Sequence, residues 1–348
     1  MKILAIETSF DETSVAVTEE RKVLSNAIYS QILLYKEWGG VVPSIAKRAH
    51  QERIDYVIEE AIHKVKKIDI QTFMKSIDYI AVTYGPGLAL ALETGIAKAK
   101  ELAARYEKKI IPVNHMEGHI YSVFAQNRNG NPPRDFTFPY LVLLVSGAHT
   151  ELLLWKDHLS YEMLGKTRDD AAGESLDKAA RMLGFGYPGG PIIERLAQQA
   201  ATSDHYQFPR PMARSKDLDF SFSGLKTSFF YYLRSIEEKE KTEKVRELAS
   251  SFQSAVIESL LIKTEQAMLQ TNVNNVVIAG GVAINSKLRK EFRKLVKRQG
   301  GAVLFPPYAY LNKDNAAMIG IAAFYRAQEG YLRDASSEID RVPRLALA

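Results

Sequence analysis

The sequence predicts an α/β protein. Strands and helices alternate along the chain, a strand–turn–strand segment occurs twice about half a chain apart, and the composition is that of a globular protein. The first segment is Ile3–Ile6 (ILAI), a polar turn from Glu7 to Thr13, and a second apolar run, SVAVT, at 14–18. The second is 140–146 (YLVLLVS), the small turn Gly147-Ala148-His149-Thr150, and 151–155 (ELLLW). Either the chain carries an internal duplication, or two common hairpins happen to resemble each other. Between them, Ile54, Val57, Ile58, Ala61, Ile62 and Val65 recur at the spacing of one helix face, predicting a helix over 50–66. Strands follow at 77–83 and 109–113, with a helix from 88 to 106 between them. Further on, helices are expected at 246–270, 285–296 and 315–328, with a strand at 275–279. The polar stretch 126–135 (QNRNGNPPRD) reads as a linker or exposed loop, and the mixed-charge run 237–247 as a solvated helix face.

A length of 348 residues suggests two domains or one large one. With 46% hydrophobic and 25% charged residues, disordered, collagen-like and coiled-coil classes are excluded. The net charge of +5 permits a nucleic-acid partner without demanding one. There is no cysteine, so disulfides, thiolate nucleophiles and iron–sulfur clusters are excluded. Glu7 and Asp11 interrupt the start where a secretory segment would need an apolar core. No apolar run reaches the ~18 residues of a membrane span. A cytoplasmic protein with no membrane partner is the expectation.

The sharpest local signal is His115-Met116-Glu117-Gly118-His119. Two histidines at i and i+4 on a helix lie about 40° apart and can share one metal ion. Glu117 sits about 200° round the helix from His115, so it is badly placed as the base of a metallopeptidase. A third ligand is needed; Asp314, just before a helix, is a candidate, or else a plain N-cap.

Glycine-rich turns form a second class of signal. Strand 275–279 runs through Gly280-Gly281 to Asn285, where a base or phosphate could approach the backbone, unless the turn is simply tight. Tyr187-Pro188-Gly189-Gly190-Pro191 could wall a pocket or reverse the chain, and Ser146–Thr150 is an anion cradle or an ordinary hairpin turn. The acids of Asp169-Asp170 and Glu174-Ser175-Leu176-Asp177 could hold ribose hydroxyls or Mg2+, or mark a helix N-terminus. Asp219–Thr227 (DFSFSGLKT) alternates like a half-buried strand. Residues 287–298 (KLRKEFRKLVKR) make a positive helix stripe, for phosphate contacts or solvent.

Taken in order, ETSFDET, GPGL, HMEGH, SGAHT, DDAAGESLDK, YPGGP, DFSFSGLKT, GGVAIN and KDNAAMIG resemble the universal tRNA N6-adenosine threonylcarbamoyltransferase (TsaD) family, in its bacterial form, over nearly the whole chain. That family carries an older label as a sialoglycoprotein endopeptidase. The resemblance implies the actin/Hsp70/sugar-kinase fold, two lobes each with a ribonuclease-H-like mixed sheet and the ligand between them. The expected lobes are 1–114, completed by the C-terminal helix in 315–348, and 115–314. The implied reaction moves threonylcarbamoyl from threonylcarbamoyl-AMP to N6 of adenosine 37 in tRNAs that read codons beginning with A. By position, His115, His119 and Asp314 resemble ligands of one Fe2+ or Zn2+ ion. Leu144, Val145, Ser146, Gly147 and Ala148 resemble the adenylate cradle, and Asp177, Gly190, Glu194 and Asn285 resemble nucleotide contacts, with Mg2+ accompanying the nucleotide. Asp11 resembles the catalytic acid of the first phosphate-type loop. Implied partners are tRNA, a scaffold paralogue (TsaB-like) and a small ATPase (TsaE-like). Phe10, Leu90 and Ala148 depart from the family pattern, which bears on ligand fit. A small-molecule kinase of the same fold, or a non-catalytic scaffold, is the alternative.

Overall fold

The computed structural model describes residues 1–35 and 41–347. Among the described residues, ten strands form two five-stranded sheets. The first holds β1 (Lys2–Glu7), β2 (Glu12–Glu19), β3 (Lys22–Ser30), β4 (Tyr79–Gly85) and β5 (Lys109–Asn114) in the order β3-β2-β1-β4-β5. The second holds β6 (Tyr140–Val145), β7 (Thr150–Asp157), β8 (Ser160–Lys166), β9 (Val276–Ala279) and β10 (Val303–Leu304) in the order β8-β7-β6-β9-β10. The two orders are the same path. In each sheet the first three strands pair antiparallel as a meander, and the fourth and fifth join parallel on the other side of the first. This repeat of topology makes the duplicated hairpins corresponding parts of two like sheets.

Among the described residues, eleven α-helices accompany the sheets: α1 (Pro43–Val65), α2 (Ile70–Met74), α3 (Ala89–Tyr106), α4 (His115–Tyr121), α5 (Ala172–Met182), α6 (Gly190–Ala197), α7 (Ser223–Ser235), α8 (Glu238–Glu243), α9 (Val245–Thr271), α10 (Ser286–Arg298) and α11 (Ala316–Gln328). β1 is buried at every residue after Lys2, and β4 at five of its seven, as strands covered on both faces must be. Ile54, Val57, Ile58 and Ile62 of α1 pack with Leu4, Ile6, Val15 and Val17. The small-residue helix α11 packs on β1, β2 and β5 and against α4. In the second sheet, Leu141, Leu143 and Val145 share a core with Leu176 of α5, Phe252 of α9 and Phe292 of α10. No described helix is long and apolar enough to cross a membrane.

The chain divides into two units, Met1–Phe136 with Pro306–Ala348, and Thr137–Phe305. This corrects the expected boundaries at 114/115 and 314/315. α4 stays with the first unit because it packs on β5 and α11. The stretch 126–135 stays because Gln126 bonds through its backbone to Arg21 and Val23 beside β3. Tyr308 then donates to the Asn131 carbonyl at 2.9 Å, so the returning chain joins the first unit before Asp314.

A second correction concerns 219–227. Phe220 forms a single bridge with Thr167, and α7 begins at Ser223. Asp169 accepts from the Ser221 and Ser223 hydroxyls and from the Phe222 and Ser223 amides. The serines are there to be held by Asp169 while Phe220 and Phe222 are buried, which mimics strand alternation.

Candidate functional site

In the first unit, β5 ends at Asn114, whose side-chain oxygen accepts from the Met116 amide at 2.8 Å and caps α4. The helix therefore starts at His115 and brings His119 round one turn later. Both side chains are 1% exposed, and their rings meet edge to face with centroids 4.7 Å apart. Asp314 is not the cap of α11. Asn315 takes that role, accepting from the Met318 amide at 3.1 Å, which leaves the Asp314 carboxylate free. Its Oδ1 lies 3.4 Å from His115 Nε2 and 3.2 Å from His119 Nε2.

Behind His115, its Nδ1 lies 3.1 Å from Glu7 Oε2 and 3.0 Å from the Ser9 hydroxyl. Glu7 is fully buried and also accepts from the Thr83 hydroxyl and the Ser9 amide. A carboxylate on Nδ1 holds a proton there and turns Nε2 toward Asp314, where it would offer its lone pair to an ion. Burial by itself would lower His115, but Asp314 and Glu7 push it up to about 10 in the metal-free centre. Burial would raise Asp314, yet the two imidazoles hold it well below the usual carboxylate range. His119, lowered by burial and by the charge on His115, is neutral. Glu7, which burial would raise, is lowered by His115.

Two imidazole nitrogens and a carboxylate oxygen fit Fe2+ or Zn2+. Their separations are those of ligand atoms sharing an ion at about 2.1 Å. All three donor atoms lie within 4.8 Å of one another, the geometry expected from HMEGH and Asp314. Glu117 turns away and pairs with Arg326 at 2.9 Å, as its place on the helix predicts. The carboxylates of Asp11 and Glu12 also reach within 4.8 Å of Asp314. Burial, then the neighbouring Asp314 and Asp11 charges, push Glu12 up to about 10, and burial raises Asp11.

The second unit holds the other group of expected residues around a cavity of about 190 Å³. Gly147, Asp177, Gly190, Glu194 and Asn285 line it, with Pro188 and Pro191. One Asp177 oxygen accepts from the Gly189 amide at 2.7 Å and the Gly190 amide at 2.9 Å, so the YPGGP turn is a fixed pocket wall. Glu194 accepts from the Ser286 amide and hydroxyl at 2.8 and 2.6 Å. Asn285 caps α10 by accepting from Leu288 and donates to Gln253 at 2.7 Å, so much of its side chain is committed within the protein. Gly280 has φ +96°, and a Cβ there would lie 2.5 Å from the Val145 carbonyl oxygen, so the strand-to-helix turn needs glycine.

Leu144 and Val145 are buried strand residues outside the cavity lining, and Ser146 spends its hydroxyl accepting from the Ala148 and His149 amides. Ala148 is exposed and lies outside the positive-φ set, so its methyl group strains nothing. Of the acids at 169–177, only Asp177 reaches the cavity. Asp170 is held by Lys178 and Lys226, and Glu174 by Lys178. Sequence reasoning missed Glu7, Ser9 and Thr83 as the support of His115. Glu7 and Ser9 stand in the quoted ETSFDET motif, but nothing local couples them to a histidine 108 and 106 residues away.

Two sheets of identical strand path in successive units define the class, a two-unit α/β protein of actin/Hsp70/sugar-kinase type. Solved structures of like fold include the activator of 2-hydroxyisocaproyl-CoA dehydratase from Clostridium difficile, bound to ADPNP, at TM-score 0.52 and 13% identity, covering 94% of this chain and 96% of that one. HypF of T. kodakarensis matches at TM-score 0.61 and 15% identity over 95% of this chain and 48% of its own. A sequence model of the TsaD family, tRNA N6-adenosine threonylcarbamoyltransferase, matches residues 22–321. Proteins of that name are 47% identical in Thermosipho africanus over the whole of both chains, and 44% identical in Clostridioides difficile over 99% of this chain and 98% of that one. The chain belongs to the tRNA N6-adenosine threonylcarbamoyltransferase family.

Proposed function

We propose that the protein transfers a threonylcarbamoyl group from threonylcarbamoyl-AMP to N6 of adenosine 37 in tRNAs reading ANN codons. The observation that carries this is the convergence of His115, His119 and Asp314 within a chain of this family. The donor is a mixed anhydride with AMP as a good leaving group. Attack by a neutral exocyclic amine builds negative charge on the carbamoyl oxygen, so positioning and charge stabilisation matter more than a covalent nucleophile. The lack of cysteine agrees with direct transfer. A divalent ion held by His115, His119 and Asp314, Fe2+ or Zn2+, would supply Lewis-acid charge for donor oxygens.

The protein's own groups do the rest. Glu7 and Ser9 fix the His115 ring. Asp11 and Glu12 stand beside Asp314 as acids able to hold a proton. In the second unit the walls fixed by Asp177 and Glu194 accept the adenylate, with Gly147 offering bare backbone. Any Mg2+ would accompany the nucleotide phosphate. The anticodon loop presents single-stranded bases that can be splayed out, and α10 offers exposed Lys290, Arg293, Lys294, Lys297 and Arg298 for phosphates. Reliance on a scaffold paralogue and a small ATPase, and a cytoplasmic setting, belong to the same reading and rest on the family resemblance.

The test is mass spectrometry of nucleosides from tRNA incubated with donor and protein. Modified adenosine is expected with the wild type and its loss, by about a hundredfold or more, with folded His115→Ala. Undiminished product from that variant would end the metal-centred reading.

A further inference from the structure

His50 is fully buried on α1 and belongs to no ligand set, yet both ring nitrogens are engaged. Its Nε2 lies 3.0 Å from the Phe10 carbonyl oxygen. A carbonyl can only accept, so Nε2 carries the proton. Nδ1 is then the acceptor, with the Thr13 hydroxyl at 2.8 Å and the Gln31 side-chain amide at 3.0 Å. Gln31 in turn accepts from the Tyr35 hydroxyl, and its backbone amide donates to the Asp11 carbonyl at 2.9 Å. Two successive carbonyls, Phe10 and Asp11, are thus held from behind by His50 and Gln31.

What they hold is the turn that carries the acids of the centre. Asp11 and Glu12 bring their carboxyl groups within 4.8 Å of Asp314, a crowding that depends on where the turn's backbone is fixed. The same turn sets the Phe10 ring edge-on to His115, with centroids 5.6 Å apart. We propose that His50 is a positioning residue for the transfer reaction: as the Nε2–H tautomer it clamps the Phe10 carbonyl and fixes Asp11 and Glu12 against Asp314. The inference rests on the reaction proposed above. A neutral ring is what the clamp needs, and burial lowers His50 in that direction.

Three variants separate this from a merely structural role. Glutamine places its amide nitrogen near the Nε2 position and can still donate to Phe10; asparagine reaches only the Nδ1 position; alanine reaches neither. Transfer kinetics, bound metal and amide exchange over residues 9–13 are measured on each, with thermal unfolding as a control. His50→Ala and His50→Asn should lower kcat about tenfold or more with KM for tRNA and metal content unchanged, and should speed exchange in the turn about tenfold. His50→Gln should restore both to within about threefold of wild type. The clamp is overturned if exchange in the turn is unchanged in His50→Ala, or if glutamine is as impaired as alanine. The positioning role is overturned if the turn loosens while kcat stays within twofold of wild type. A wild type with no transfer would count against the reaction, and amide exchange would still decide the clamp.

Discussion

The turn after β1 and the turn after β6 occupy the same place in two sheets of the same path, yet they do different chemistry. The first, Thr8–Asp11, is rich in side chains that act: Ser9 reaches His115, and Asp11 with Glu12 reaches Asp314. The second, Ser146–His149, is small and folds on itself, with Ser146 bonded to His149 through both backbone and hydroxyl. Only Gly147 faces its cavity, and a Cβ there would meet nothing within 4 Å. One copy of the scaffold has been given charge, the other open backbone. The ligand segments also correspond: His115 follows β5, the fifth strand of the first sheet, and Asp314 lies on the segment that leaves β10, the fifth strand of the second.

If the first turn serves the metal centre and the second unit's cavity serves the nucleotide, variants in each should leave the other untouched. Glu7→Gln should weaken metal binding about 10–100-fold, the usual effect of losing a supporting carboxylate, with affinity for an adenylate analogue unchanged. Equilibrium dialysis and calorimetry would check the pair, and a joint loss would break the comparison. The pH dependence sharpens it. In the metal-free centre His115 is raised to about 10 and so protonated at neutral pH, whereas burial lowers His119 and the imidazoles lower Asp314. Metal loading must displace the His115 proton, so apparent affinity should rise with pH through neutrality, by about tenfold per unit for that proton. Calorimetry in buffers of different ionisation enthalpy should count at least the His115 proton released; no release would contradict a protonated His115 in the metal-free centre. Asp177→Ala frees both amides of the 189–190 turn and should weaken the adenylate analogue about tenfold without changing metal content. Asp177→Asn, which keeps an oxygen acceptor, should lie within about threefold of wild type.

Much of this was legible in the sequence because it is local. Helix periodicity placed α1 from residue 50 onward, although the helix begins at Pro43, and the i,i+4 histidines announced a shared face. The edge strands β3 and β8 were not foreseen. Only alternate residues of β3 are buried over its first half, and β8 buries only Gly165, so neither has a continuous apolar run. The unit boundary was misplaced for a related reason: what ties 115–136 to the first unit is packing on β5 and α11 and backbone bonding beside β3, which composition does not carry. Asp314 was ambiguous between ligand and cap until Asn315 proved to be the cap. The support of His115 by Glu7 and the clamp of Phe10 by His50 join residues 108 and 40 positions apart. No short motif could pair them.

X-ray absorption at the metal edge of the purified protein, beside elemental analysis of His119→Ala, tests the central claim most directly. The geometry predicts one ion per chain bound by two imidazole nitrogens and carboxylate oxygen, and its loss from the variant. An ion retained at full occupancy by the variant, or one without imidazole in its coordination, would contradict it.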